Sequence, residues 1–259
     1  MSIYFKELAY CATPMGALSL RRRRELSLGI EVYEIKLDDD FLMSSLFTVS
    51  EIALARLGLA AVSGTALEVL VGGLGLGYTA RAALQDERVV SLRVIDTLAE
   101  VIAWHQQGLL PFEPLLATDA RCEMVHADFF SILDPASVGF DRARPGRGFH
   151  AILLDIDHSP RHLLKPAHAG LYAPAGLRCL AKSLHPGGVF ALWSNDPPDE
   201  AFSAALAEVF ATSKAEIVRF HNPLQQRDAT STIYLATTRV AADHTNAIYP
   251  SLMPESTCD

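Results

Sequence analysis

The sequence predicts an α/β protein, a mostly parallel sheet covered by helices on both faces and preceded by a small β-hairpin module. Two observations carry this. From Leu67 onward, apolar strand-like runs alternate with helix-compatible segments, as a parallel sheet with crossover helices requires. The first of those runs, Ala66-Leu67-Glu68-Val69-Leu70-Val71, leads into the turn Gly72-Gly73-Leu74-Gly75-Leu76-Gly77 and then into Tyr78–Leu84. Strand, glycine turn, helix is how open, Rossmann-like sheets bring backbone close to a nucleotide or nucleoside. A Cβ there would block the approach and resist the positive φ of a tight turn.

Taken in order, residues 1–45 read as β-hairpins. Leu8 to Ala12 is a strand, Thr13-Pro14-Met15-Gly16 a turn, and Ala17 to Arg24 the return strand. Gly29 to Leu37 alternates enough to be a third strand. Phe41 to Val49 follows neither period. Ser50 to Leu59 reads as a helix, with Ser50 at its N-cap and Gly58 near its end. Seven strands follow, at 67–72, 89–95, 122–126, 150–154, 188–193, 215–220 and 231–237. Helices fall near 78–85, 97–107, 170–183 and 199–211. Residues 134–148, rich in Pro, Gly and Arg, read as a surface loop. The division is then a β-rich module with its linking helix (1–62), the Rossmann-like sheet domain (63–240) and a tail without clear pattern (241–259).

Composition narrows the function. The 259 residues carry a formal net charge of −8, which argues against a general nucleic-acid binder. The one basic run, Arg21-Arg22-Arg23-Arg24, reads as a solvated edge strand, with an anionic ligand or partner as the alternative. The four cysteines, Cys11, Cys122, Cys179 and Cys258, have neither metal-ligand nor redox spacing and are expected to be free thiols. The first residues lack the apolar core of a signal peptide. No apolar run reaches the ~18 residues that span a membrane. A cytoplasmic protein without membrane contact is the expectation.

Ligands of an open parallel sheet sit outside the carboxyl ends of its strands. After the glycine turn, the second strand ends at Asp96, where an acid can bind ribose hydroxyls or cap the next helix. The third is followed by His126-Ala127-Asp128, the fourth by Asp155-Ile156-Asp157-His158-Ser159-Pro160, the fifth by Ser194-Asn195-Asp196-Pro197-Pro198. Asp155 directly ends the apolar run Ala151–Leu154, so its carboxylate belongs at a partly desolvated pocket floor, where burial makes it a better base. Asp157, His158 and His162 suggest a metal site. Pro160 interrupts the spacing that would align the two histidines, so a substrate-facing loop is the better reading and no metal is expected. Asn195–Pro198 reads as a turn before the helix at 199–211.

Over roughly residues 10–238 these motifs resemble the spermidine synthase (polyamine aminopropyltransferase) family, which shares its core with class I S-adenosylmethionine methyltransferases. The family's Gly-Gly-Gly-Asp-Gly-Gly turn is matched by Gly72–Gly77, with Gly75 where the Asp that helps bind the donor's aminopropyl ammonium would stand. Its Val-Glu-(Ile/Leu)-Asp strand ending is matched by Arg93-Val94-Ile95-Asp96, so Val94 replaces the ribose-binding Glu and only Asp96 can take that role. Its Gly-Asp is matched by Ala127-Asp128, with Asp128 on the adenine. Its catalytic loop is matched by Asp155–Pro160, with Asp155 as the base and the second Asp shifted to Asp157. The Tyr-His-Glu segment that helps hold the polyamine is missing, and Phe41-Leu42-Met43-Ser44-Ser45 occupies that region.

The resemblance implies a sulfonium donor, S-adenosylmethionine or its decarboxylated form, held by Gly72, Gly73, Gly75, Gly77, Asp96 and Asp128. Asp155, with Asp157 or His158, would act on a small-molecule acceptor such as an amine. It also implies a homo-oligomer, a dimer in the first instance. An Asp at position 75 would repel the carboxylate of full S-adenosylmethionine, whereas a glycine removes that repulsion and exposes backbone amides. Methyl transfer to a small molecule is therefore the leading expectation. Aminopropyl transfer to an amine is the alternative, and a nucleoside-binding protein without catalysis is a second one.

Overall fold

Two sheets build the molecule, and the computed structural model describes residues 4–240 of it. The tail at 241–259, and Cys258 with it, lies outside the described residues. Strands β1 (Phe5–Thr13), β2 (Gly16–Glu25), β3 (Ile30–Leu37) and β4 (Asp40–Ser44) form an antiparallel sheet in chain order. The region without a clear period thus divides between β4 and the entry to α1 (Val49–Ala60). The arginine run lies on β2, which pairs on both sides, so the edge-strand expectation is corrected. The neighbouring β3 explains the placement. It sets acids across from the cations, Arg21 opposite Glu34 and Arg24 opposite Glu31, and Arg23 reaches Glu34 at 2.8 Å.

The larger sheet contains β5 (Leu67–Gly72), β6 (Val89–Asp96), β7 (Cys122–His126), β8 (Phe149–Leu154), β9 (Leu184–Ser194), β10 (Thr212–Asn222) and β11 (Arg227–Thr237). Its order is β10-β11-β9-β8-β5-β6-β7. The pairings from β7 across to β9 are parallel, and β11 runs antiparallel between β9 and β10. All seven predicted strands are present. Helices α2 (Tyr78–Leu84), α3 (Ala99–Gln106), α4 (Pro174–Ala181) and α5 (Glu200–Val209) connect them. The helix expected at 170–183 divides into a 3-10 segment over Pro166–Tyr172 and α4. Ala173 is extended there, and Pro174 starts a fresh helix at a position where its missing N–H costs nothing.

Alternation along the central strands sorts the core into two faces. Val69 and Val71 of β5 join Leu54 of α1, Leu153 and Ala191, together with Leu18, Leu20 and Ile35 of the small sheet. Leu70, Ile152 and Leu154 face Phe149, Leu177 and Leu206 on the other side. Helix α1 lies so close to the large sheet that a Cβ on Gly58 would fall 2.6 Å from Leu153. The loop at 134–148 is more than surface: its Asp141 is buried and paired with Arg144 and Arg147. Among the described residues the cysteines are free, and no helix is long and apolar enough to cross a membrane.

Candidate active site

The carboxyl ends of β5, β6, β7 and β8 converge on the glycine turn. Gly73, Gly75 and Gly77 have φ of 92°, 46° and 90°, which L side chains resist. A Cβ on Gly73 would sit 2.0 Å from the backbone oxygen of Asp155, so this glycine lets the turn touch the end of β8. The amides of the turn are engaged within the protein. Gly73 N–H donates to Ile95 O (2.9 Å), Leu74 N–H to Asp96 Oδ2 (2.9 Å), Leu76 N–H to Met43 Sδ (3.1 Å) and Gly77 N–H to Leu74 O (2.7 Å). The Gly75 amide also donates to Asp96. The expectation of exposed amides at Gly75 is therefore corrected: Asp96 from β6 and Met43 from β4 take them up. His105 of α3 completes the turn, donating from Nε2 to the Gly75 carbonyl at 3.0 Å. Burial pushes its pKa down to about 4, so it stays neutral.

Asp96 is more structural than its position suggested. Oδ1 accepts from Leu98 N–H at 2.8 Å while Oδ2 holds Leu74, so the carboxylate ties the turn to the start of α3. Burial raises its pKa, and the amide donors oppose that rise. With the Gly75 amide as a third donor, one of the carboxylate's four lone-pair sites is left. Val94 beside it is fully buried in the core. Asp128 is exposed and gives Oδ1 to Phe130 N–H (2.9 Å), which leaves Oδ2 without a contact to that turn.

A cavity of about 450 Å³ spans these strand ends. One half meets Gly73, Gly75, Asp96, Thr97, Asp128 and Ile156. The other half, beyond β8, meets Trp193, Asn195, Phe220, Asn222, Ala229 and Ser231. The small sheet contributes Met15, Ile35 and Phe41–Ser44 to the wall. Asp155 lines the cavity between the halves, and so does Glu51 from the first turn of α1. Thr79 Oγ1 donates to Asp155 Oδ2 at 2.7 Å, and Ser50 Oγ to Glu51 Oε2 at 2.9 Å. Burial pushes Asp155 up to about 6, against the Thr79 hydrogen bond. Burial, and then the negative charge of Asp155, push Glu51 up to about 7. Two such carboxylates titrate as a unit.

Glu51 was not among the residues singled out in the sequence. Its signal was a lone acid in the first turn of an otherwise largely apolar helix, Val49-Ser50-Glu51-Ile52-Ala53-Leu54. It supplies an acid where Phe41–Ser45 had seemed to leave none. Asp157 behaves in the opposite way. Its carboxylate is buried away from the cavity, accepting from Leu164 N–H (2.7 Å), Tyr172 Oη (2.7 Å) and His168 Nδ1 (2.9 Å). The catalytic expectation for Asp157 is thus corrected to an anchor of the loop after β8. His158 lines the cavity. His162 is exposed and contacts Asp196 at 2.7 Å, so Asp157, His158 and His162 do not converge. Asp199 caps α5, accepting from Phe202 N–H at 2.6 Å.

One metal-like cluster, Glu68, His150 and His185, lies at the opposite ends of the strands, its ligand atoms within 4.8 Å of one another. Two of its three residues are already engaged within the protein. His150 Nδ1 accepts from Glu68 N–H at 3.0 Å, which puts the ring proton on Nε2, and Arg147 occupies the Glu68 carboxylate.

No family model and no curated protein sequence matches the chain. Solved structures do. A spermidine synthase in complex with the transition-state analogue AdoDATO aligns with a TM-score of 0.67 at 16% identity, over 91% of this chain and 74% of that one. The spermidine synthase from Thermotoga maritima aligns with a TM-score of 0.66 at 16% identity, over 91% and 73%. The chain therefore shares the fold of spermidine synthases: a seven-stranded Rossmann-like sheet with an antiparallel module before it.

Proposed function

We propose that this protein is an alkyl transferase that moves an aminopropyl group from a decarboxylated S-adenosylmethionine-type sulfonium to an amine. The observation that carries it is the Glu51–Asp155 pair beside the glycine turn. A carboxylate pair in a partly dry cavity attracts ammonium groups and repels the carboxylate that full S-adenosylmethionine keeps. The turn amides that could have offset that repulsion are engaged. The fold shared with spermidine synthases supports the same reading.

The nucleoside would lie against Gly73 and Gly75, with Asp96 offering its remaining lone pair to the ribose and Asp128 its free oxygen to the adenine. The acceptor amine would attack the propyl carbon in line. The N–C bond forms as the C–S bond breaks, sulfur keeps the electron pair and leaves as a neutral thioether, and the amine proton passes to Asp155. Most of the acceleration comes from holding donor and acceptor in line. His158 borders the same space.

One feature favours the rival reading, methyl transfer from S-adenosylmethionine. Gly75 provides no acid for the donor's ammonium, and Met43 Sδ lies 2.8 Å from where its Cβ would be. Calorimetric titration with the two donors decides. The decarboxylated form should bind at least about tenfold more tightly, roughly 1.4 kcal/mol. Equal or tighter binding of S-adenosylmethionine would sink aminopropyl transfer, and labelled-donor turnover would separate either enzyme from a protein that only binds nucleosides.

A further inference from the structure

The half of the cavity beyond β8 has an uneven character. Its wall carries Trp193 of β9, Phe220 of β10 and Ala229 of β11, with Phe47 packed 5.9 Å from Phe220. Its polar groups are Asn195, Asn222, Ser231 and the unpartnered indole N–H of Trp193. Asn222 gives its side-chain oxygen to the amides of Leu224 and Gln225, both at 3.0 Å. What remains on that side chain is an N–H donor, which an ammonium cannot use.

The acids of this half are elsewhere and already matched. Asp196 contacts His162 at 2.7 Å, Asp199 pairs with Arg161 at 2.7 Å, Glu216 with Lys214 at 2.8 Å and Asp228 with His221 at 3.5 Å. None of the four lines the cavity. The carboxylates available to an acceptor are Glu51 and Asp155, between this half and the glycine turn.

We propose that the acceptor is a monoamine with an apolar body, its nitrogen at Glu51 and Asp155 and its tail against Phe47, Trp193 and Phe220. This rests on the reading of the site as one that accepts an amine. A diamine would have to bury its second ammonium among Phe47, Trp193 and Phe220, with ring faces and the neutral oxygens of Asn195 and Ser231 but no carboxylate to balance its charge. The apolar tail of a monoamine instead gains from leaving water.

The test is a matched pair of equal length, hexylamine and 1,6-diaminohexane, titrated calorimetrically into the full chain with methylthioadenosine present. Hexylamine should bind at least about tenfold more tightly, the expected consequence of one unpaired buried ammonium. Phe220→Glu places a carboxylate on the far wall and should shrink or reverse that ratio. Equal or tighter binding of the diamine, binding of neither amine, or a ratio untouched by Phe220→Glu would each overturn the proposal. Because binding is read without turnover, the result is separate from the choice of donor. A protein that prefers S-adenosylmethionine yet still selects hexylamine loses the aminopropyl reading and keeps this one.

Discussion

Asp155 and Glu51 show how position sets the chemistry of an ordinary carboxyl group. Each is held above the usual carboxylate range because burial disfavours its charged form, and the charge of Asp155 adds to the rise at Glu51. The base must be ionised to take a proton, so activity should fall as pH drops through about 7 to 6. Thr79 donates to Asp155 and lowers its pKa. Thr79→Val should therefore move this acid limb to higher pH, as a pH–rate profile would show, and an unmoved limb would remove Asp155 from the role of base. Sequence made Asp155 visible because it ends an apolar strand at the sheet edge where ligands bind. Glu51 was hidden because a first-turn acid is ordinary helix chemistry, stabilised by the helix dipole wherever it points.

At the scale of elements, the loop after β8 is where local reading and structure part. Asp-Ile-Asp-His places two acids side by side in sequence, and nothing local says which one faces the ligand. The fold sends Asp155 to the cavity and turns Asp157 back onto His168 and Tyr172, with His168 stacked on Phe130 at 3.6 Å between ring centroids. Removing the anchor leaves buried donors without partners. Asp157→Ala should cost about 2–4 kcal/mol in denaturant unfolding. Asp157→Asn, which keeps one acceptor oxygen, should cost less. Equal costs for the two substitutions would contradict the anchoring role. The glycine turn was the better-marked element, because its strand and helix neighbours and its spacing to Asp96 are all local in the chain. Its amides were misjudged because one of their partners, Met43, comes from a separate sheet.

For the whole molecule, the two sheets share one core: Leu18, Leu20 and Ile35 pack in the same cluster as Leu54, Leu153 and Ala191. The small module also supplies part of the cavity wall. Scanning calorimetry of the full chain should show a single transition, and a chain shortened to begin near Leu46 should lose both that transition and donor binding. Two resolved transitions would show that the module is energetically separate. The sequence by itself determined the strand–helix alternation, the glycine turn and the acids at the strand ends, because periodicity and turn chemistry are properties of neighbouring residues. Only the tertiary structure decided which acids share the cavity and how the turn amides are engaged. Those depend on α1 and β4 meeting the sheet edge, contacts between segments far apart in the chain that no local pattern encodes.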